Sequence, residues 1–195
     1  DIEKRKYIHT IGRIEEQATF GTVSEQIAEV AKMAGSDYFL DRGFSRELLE
    51  YFEVGSFVDN YGVQRASIPI RDENGNLVDI AGRIIDDSLA KKGIPKYKHL
   101  YNFDKAVILY NMHNAKEYIL ADKERRIIFV EGYTDAWALV RLGYMNVVAV
   151  MGSVVLPTQA ALASRYALSA TVMLDGDEAG RRGGEISRKI LKGFT

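Results

Sequence analysis

The chain has 195 residues, enough for one large domain or two small ones with a proper core. A hydrophobic fraction of 47% and a charged fraction of 27% are ordinary for a soluble globular protein, and a net charge of −1 does not advertise nucleic-acid binding. Cysteine is absent, which excludes disulfides and Cys-based zinc sites, and no apolar run approaches the roughly 20 residues of a membrane span. The opening Asp1-Ile2-Glu3-Lys4-Arg5-Lys6 has neither an initiator Met nor a signal-peptide layout, so a segment cut from a longer cytoplasmic protein is expected.

Residues 1–60 read as mostly helical. Ser24 is placed to cap a helix whose apolar positions Ile27, Val30, Ala31 and Ala34 follow a 3.6 period, with Gly35 ending it. A second helix fits Ser45 to Phe52, with Leu48, Leu49 and Phe52 on one face, after the turn Asp41-Arg42-Gly43-Phe44. From Arg65 to Ile85 the pattern becomes a hairpin: Ala66–Ile70 and Leu77–Ala81 flank Asp72-Glu73-Asn74-Gly75-Asn76, where Asn-Gly is a strong turn signal. A basic loop follows. Between Lys91 and Lys105 it carries five lysines (Lys91, Lys92, Lys96, Lys98, Lys105) and His99 against the single acid Asp104. Taken alone, such a run reads as a solvated loop. A helix or strand-helix is expected near Ala106–Leu120.

The second half is more regular. Ile127–Val130, Val147–Val150 and Ala170–Leu174 are short continuous apolar runs, the pattern of strands buried on both faces. Helical stretches at Thr134–Leu142, Pro157–Tyr166 and Ala179–Leu191 alternate with them, so a parallel sheet with right-handed crossovers is expected. The charged connector Ala121–Arg126 suggests a division into residues 1–121 and 122–195.

Sites in open parallel α/β sheets lie outside the carboxyl ends of the strands. Glu131 follows the first of these strands and Asp175 the third; Asp177 is two residues on, and Asp135 stands one helical turn after Glu131. Clustered carboxylates repel one another, and a cation relieves the repulsion. Hard oxygen donors of this kind suit Mg²⁺ or Mn²⁺. A lone Asp-x-Asp would read as a helix-capping pair in a solvated turn; two acidic turns at two strand ends favour the metal. Rival motifs fail. A calcium loop begun at Asp175 would need an acid or Asn where Ala179 stands and a Glu where Ile186 stands. Walker A, Gly-x-Gly-x-x-Gly and nucleophile-elbow patterns are missing, and His9, His99 and His113 lack metal spacing.

Glu131-Gly132-Tyr133 with Asp135, then Asp175-Gly176-Asp177 with Ala179-Gly180-Arg181, resembles the TOPRIM domain shared by topoisomerases and primases, in its bacterial DnaG-type primase form. The resemblance extends upstream through Arg42-Gly43-Phe44-Ser45, Ile68-Pro69-Ile70-Arg71-Asp72-Glu73-Asn74-Gly75, Ala81-Gly82-Arg83 and Pro95-Lys96-Tyr97, and covers roughly residues 38–190. It implies a TOPRIM-type parallel βαβ sheet sandwiched by helices, preceded by a smaller α+β basic subdomain. The implied activity is synthesis of short RNA primers on single-stranded DNA from NTPs, by metal-dependent nucleotidyl transfer during replication. Glu131, Asp175 and Asp177 would be the metal-associated carboxylates, supported by Asp135. Arg65, Arg83, Lys96 and Lys105 would face template, primer or triphosphate, and a replicative helicase would be engaged through regions outside this chain.

The family's third acidic motif, of Asp-Pro-Asp type, and its zinc-binding module are not in this sequence, so activity of the segment alone is not implied. Ala81-Gly82-Arg83 stands where Gly-Gly-Arg is commoner, which points to a divergent branch such as a phage or mobile element. Two readings compete with the primase: a TOPRIM nuclease or topoisomerase, and a non-catalytic TOPRIM module that only binds nucleic acid. The primase-like upstream region argues against the first, the complete acid set against the second.

Overall fold

A computed structural model of the protein describes residues 25–194 with the exception of Gly35 and Asn102. The proposed cap Ser24, the helix end at Gly35 and His9 lie outside the described residues. The chain forms two compact units. The first runs to Ile70 and resumes over Leu77–Phe103, while the second comprises Arg71–Asn76 and the chain from Asp104 onward. The division thus falls near residue 103, not at 121. The reason is hydrogen bonding. Tyr110 exchanges backbone bonds of 3.0 and 3.1 Å with Ala149, and the Gln159 amide donates to the carbonyls of Lys105 and Ile108, which ties 104–121 to the second unit.

In the first unit, helix α1 (Glu25–Ala34) buries Ile27, Ala28 and Ala31, the face its period dictates. Short helices α2 (Asp37–Leu40) and α3 (Arg46–Tyr51) follow; Ser45 caps α3, its hydroxyl accepting the Leu48 N–H at 3.3 Å. Four strands come next: β1 (Gly55–Val58), β2 (Gln64–Arg71), β3 (Leu77–Ile84) and, after the one-turn helix α4 (Ser88–Lys91), β4 (Tyr97–His99). They make one sheet in the order β1-β2-β3-β4, with β1 antiparallel to β2 and β4 antiparallel to β3. Helix α1 packs on β1, and Gly55 permits it: a Cβ there would stand 1.9 Å from the Ala31 carbonyl oxygen. Phe57, Leu77 and Ile80 complete this core. Two of these strands depart from expectation, since β1 lies in a stretch read as helical and β4 in a stretch read as loop.

The second unit opens with a 3₁₀ turn (Lys105–Val107) and helix α5 (Met112–Ala121). Strand β5 (Arg126–Val130), helix α6 (Tyr133–Arg141), strand β6 (Val147–Ala149), helix α7 (Pro157–Ala163), strand β7 (Ser169–Met173) and helix α8 (Glu178–Ile190) follow. The three strands are parallel in the order β6-β5-β7, as the alternating pattern required. Phe129 and Val148 from the sheet, Met112 and Ile119 from α5 and Ala163 from α7 are sealed from solvent in one cluster. Trp137 is wholly buried, its indole N–H donating to the Tyr110 hydroxyl at 2.9 Å. Strand β7 corrects the expectation of three strands covered on both faces. It is an edge strand among the described residues, with Thr171 and Met173 exposed. An apolar run reports that a strand lies in a sheet and not whether it is central. Among the described residues no helix is long and apolar enough to cross a membrane.

Candidate functional site

The four acids come from two adjacent parallel strands. β5 and β7 pair in register from Arg126↔Ser169 to Val130↔Met173, so the chain leaves both strands at the same end of the sheet. Glu131 is the first residue beyond β5. Asp175 is the second beyond β7, after Leu174. The Asp175 backbone N–H donates to Glu131 Oε2 at 3.3 Å, which brings the two turns together.

Each turn is braced from within. Asp135, in the first turn of α6, reaches back so that its Oδ2 accepts the Gly132 N–H at 2.8 Å. Asp177 caps α8, its Oδ1 accepting the Gly180 N–H at 2.8 Å. Arg181 donates to the Gly176 carbonyl across the same turn. Two glycines on α8 are dictated by space: a Cβ at Gly180 would lie 2.0 Å from the Asp175 carbonyl oxygen, and one at Gly183 would lie 1.6 Å from that of Ser153.

The electrostatics register the crowding. Partial burial pushes the Glu131 carboxyl above its ordinary range, and the charges of Asp175, Asp177 and Asp135 push the same way against the Asp175 N–H. Asp135 is also raised, first by burial and then by Asp175, with the Gly132 N–H opposing. Asp175 and Asp177 are exposed. Among the described residues no three acidic or imidazole groups stand at ligating distance of a single point, so the acids border a shared space and do not form a closed cage. Such an all-oxygen, half-open set fits a hard cation that keeps waters and takes further oxygens from a bound phosphate. Beside Asp175, a groove of about 530 Å³ runs between β7 and α8, lined by Val172, Leu174, Arg181 and Phe194.

The basic residues divide. Lys96 in the first unit and Lys105 in the second are exposed. The two arginines expected on a phosphate-facing surface point inward instead. Arg65 is 2% exposed: its Nε donates to Asp59 Oδ2 at 2.7 Å, and one terminal nitrogen donates to Gly82 and Pro95 carbonyls at 3.0 and 3.2 Å. Arg83 is buried with its guanidinium 5.3 Å from the Tyr38 ring and 5.6 Å from the Tyr97 ring, and it bonds Asp87 and the Ile84 carbonyl. A charge in the sequence announces a preference for a counter-charge or an aromatic face; here the protein itself supplies them.

Sequence reasoning passed over three groups. The buried Asp79 carboxylate accepts the Tyr101 N–H at 2.8 Å and bonds His99 Nδ1, so that histidine is oriented from beneath. Arg181 follows a Gly-Asp-x-x-Gly turn, yet nothing in the sequence marks its bond to that turn. Tyr61, one residue before a glycine in a polar turn, projects into solvent.

Residues 125–192 match the Toprim domain family, a span that contains all four acids and both strand-end turns. The second unit holds a Toprim domain. The likeness to primases reaches further than that domain. The chain is 36% identical to the DNA primase of Aquifex aeolicus over 124 residues, 62% of this chain and 24% of that one. It is 30% identical to the DNA primase of Clostridium acetobutylicum over 192 residues, 78% of this chain and 31% of that one. The zinc-binding and RNA polymerase domains of the Aquifex aeolicus primase superpose with a TM-score of 0.67 at 25% identity, over 98% of this chain and 54% of that one. A DnaG primase catalytic domain bound to single-stranded DNA has the same fold, with a TM-score of 0.61 at 22% identity over 95% of this chain and 66% of that one. The chain is therefore similar in sequence to bacterial DNA primases and shares the fold of primase catalytic domains. It spans about a quarter to a third of the length of these curated relatives.

Proposed function

We propose that this chain is a catalytic-core segment of a DNA primase, acting in template-directed synthesis of RNA primers on single-stranded DNA. The observation that carries the reading is the meeting of Glu131 with the Asp175–Asp177 turn at the same end of two paired parallel strands, inside a Toprim domain. Similarity to primases beyond that domain favours synthesis over the nuclease and topoisomerase activities of other Toprim proteins.

The reaction is attack of a primer 3′-hydroxyl oxygen on the α-phosphorus of an incoming NTP. A P–O bond forms there, the bond to the β-phosphate bridging oxygen breaks, and pyrophosphate leaves. Glu131, Asp175 and Asp177 would hold a divalent cation, Mg²⁺ or Mn²⁺, with Asp135 supporting them. When bound, that cation supplies Lewis acidity toward the phosphates and neutralises their charge. The chain's own contribution is placement. Asp135 fixes the turn after β5 through Gly132, and Asp177 fixes the start of α8 through Gly180. Lys96 and Lys105 are free to neutralise backbone phosphates in a sequence-tolerant, salt-dependent way. Arg65 and Arg83 stabilise the first unit from within. A replicative helicase, if engaged, would be bound by other parts of a longer polypeptide.

The test is primer synthesis on single-stranded DNA with labelled NTPs and Mg²⁺ or Mn²⁺, run on this chain alone and within a longer polypeptide. Asp175→Ala and Asp177→Ala abolish product while DNA binding persists. Metal-dependent DNA cleavage without synthesis would overturn the reading in favour of a nuclease.

A further inference from the structure

The turn between β1 and β2 is a mount built around one carboxylate. It is closed by backbone bonds from the Asp59 N–H to the Val63 carbonyl at 2.9 Å and from the Gly62 N–H to the Asp59 carbonyl at 2.8 Å, with Gly62 at a φ of 75°. The Asp59 side chain has no exposed surface. Its Oδ1 accepts the N–H groups of Tyr61 and Val63, both at 3.0 Å, and its Oδ2 accepts Arg65 Nε at 2.7 Å. Lys98, from β4, lies with Nζ 4.0 Å from the same Oδ2 and 5.2 Å from the centroid of the Tyr61 ring. One buried acid therefore sets the positions of an aromatic ring and of a cation on its face.

Tyr61 is 82% exposed, more than the other exposed large apolar and aromatic residues among the described ones, of which Leu142 follows at 67%. A single exposed tyrosine is ordinary on a protein surface. This one differs in its surroundings. Its backbone is pinned on both sides, an ammonium lies over one face, its hydroxyl hydrogen-bonds no described residue, and most of its remaining surface meets solvent. The negative charge beneath is already taken by Arg65 and two N–H groups, so an approaching phosphate meets the ammonium and not a bare carboxylate. A flat ring with one open face beside a cation matches a nucleobase and its phosphate, since base stacking on an aromatic is tolerant of sequence and the backbone needs a counter-charge.

We propose that Tyr61 and Lys98 form a base-stacking contact for single-stranded DNA, with a base on the open face of the ring and its backbone phosphate on the Lys98 ammonium. The inference rests on the single-stranded template assigned above, and it adds a sequence-tolerant grip in the first unit, apart from the acids.

Fluorescence anisotropy on the full chain tests it, using a labelled oligo-dT of about twelve nucleotides and an abasic oligonucleotide of the same length. The wild type binds oligo-dT at least about fivefold more tightly than the abasic strand, the lower end of the range for one stacked base. Tyr61→Ala removes that difference and leaves abasic binding unchanged, while Tyr61→Phe retains it. Lys98→Met weakens both strands and lowers the slope of log affinity against log salt by about 0.7, the loss of one phosphate contact. Tyr61→Trp gives a direct signal, since Trp137 is the one native tryptophan and is fully buried: oligo-dT quenches the new emission and the abasic strand does not. Oligo-dT binding by Tyr61→Ala equal to that of the wild type overturns the contact while leaving the template reading intact. Quenching by NTPs alone reassigns the ring to the nucleotide and overturns it as a DNA contact. No binding of oligo-dT by the wild type overturns both the contact and the template. Tyr61-dependent binding by a longer polypeptide that makes no primers supports the contact and refutes the primase reading alone.

Discussion

Replacing Arg65 by leucine separates an internal strut from a template contact. The guanidinium makes three bonds: to Asp59 at 2.7 Å, to the Gly82 carbonyl at 3.0 Å and to the Pro95 carbonyl at 3.2 Å. Removing one partner of a buried ion pair costs about 3–5 kcal/mol, because the other charge stays behind in a poorly solvating place. Asp59 keeps two N–H donors at 3.0 Å and Lys98 at 4.0 Å, which moves the cost toward the lower end of that range. The buried Gly82 carbonyl loses its side-chain donor, which adds about 1 kcal/mol. The total is about 4 kcal/mol, equivalent to a fall in Tm of about 10 °C for a chain of this size. Arg65→Lys falls in between, because it restores charge without the planar fork. Thermal unfolding followed by circular dichroism, with DNA affinity measured below the transition, reads both quantities. An Arg65→Leu protein that melts within about a degree of the wild type and has lost DNA affinity would refute the strut and restore the arginine to the binding surface.

Gly180→Ala forces its methyl into the Asp175 carbonyl oxygen, 2.0 Å away, so a stability loss of about 3 kcal/mol and a weakened response to added Mg²⁺ are expected in thermal melts. Gln159→Leu leaves the carbonyls of Lys105, Ile108 and Val150 without their shared amide donor, bonded at 2.9–3.1 Å; denaturant unfolding should register a loss of about 2–4 kcal/mol. Glu131 and Asp135 titrate above the ordinary carboxylate range when folded, so the native state holds their protons more tightly than the unfolded chain does and loses stability as pH rises through that range. Mg²⁺ should therefore raise Tm at neutral pH and progressively less as pH falls through it, whereas Asp175→Asn raises the metal-free Tm and blunts the response. A Mg²⁺ effect that is flat across that range would break the link between these acids and the cation.

The Toprim half was legible because its signals are local. Continuous apolar runs reported β5, β6 and β7, and an acid just past a strand's end marked the candidate site. What stayed hidden depends on partners remote in sequence. Strand β4 is three residues in a lysine-rich stretch, and it is a strand only because Ala81, Gly82 and Arg83 of β3 pair with it. Gly-Ser-Phe-Val at β1 carries no alternation to separate it from the helices before it. The fate of Arg65 turned on Asp59 being buried, that of Arg83 on Tyr38 lying over it, and neither is a property of the arginine. The unit boundary moved to residue 103 for a similar reason: the charged connector at 121 looks like a linker, yet Tyr110 and Gln159 bind the chain before it to the sheet after it.

Helix α8 has a mechanical consequence. Gly183 meets the Ser153 carbonyl, and one turn further Ser187 Oγ accepts the Val155 N–H at 2.9 Å, so two successive turns of the helix are fastened to the loop after β6. At its other end Gly180 and Asp177 fasten it to the acidic turn. With a rise of about 1.5 Å per residue, these anchor points occupy most of a helix about 20 Å long, leaving it free neither to slide nor to roll. Its far end carries Arg188 and Lys189 into solvent, with exposed Lys192 just beyond it. A load applied to those cations reaches the acidic turn and the Ser153–Val155 loop together, so the helix behaves as a lever with two fixed bearings.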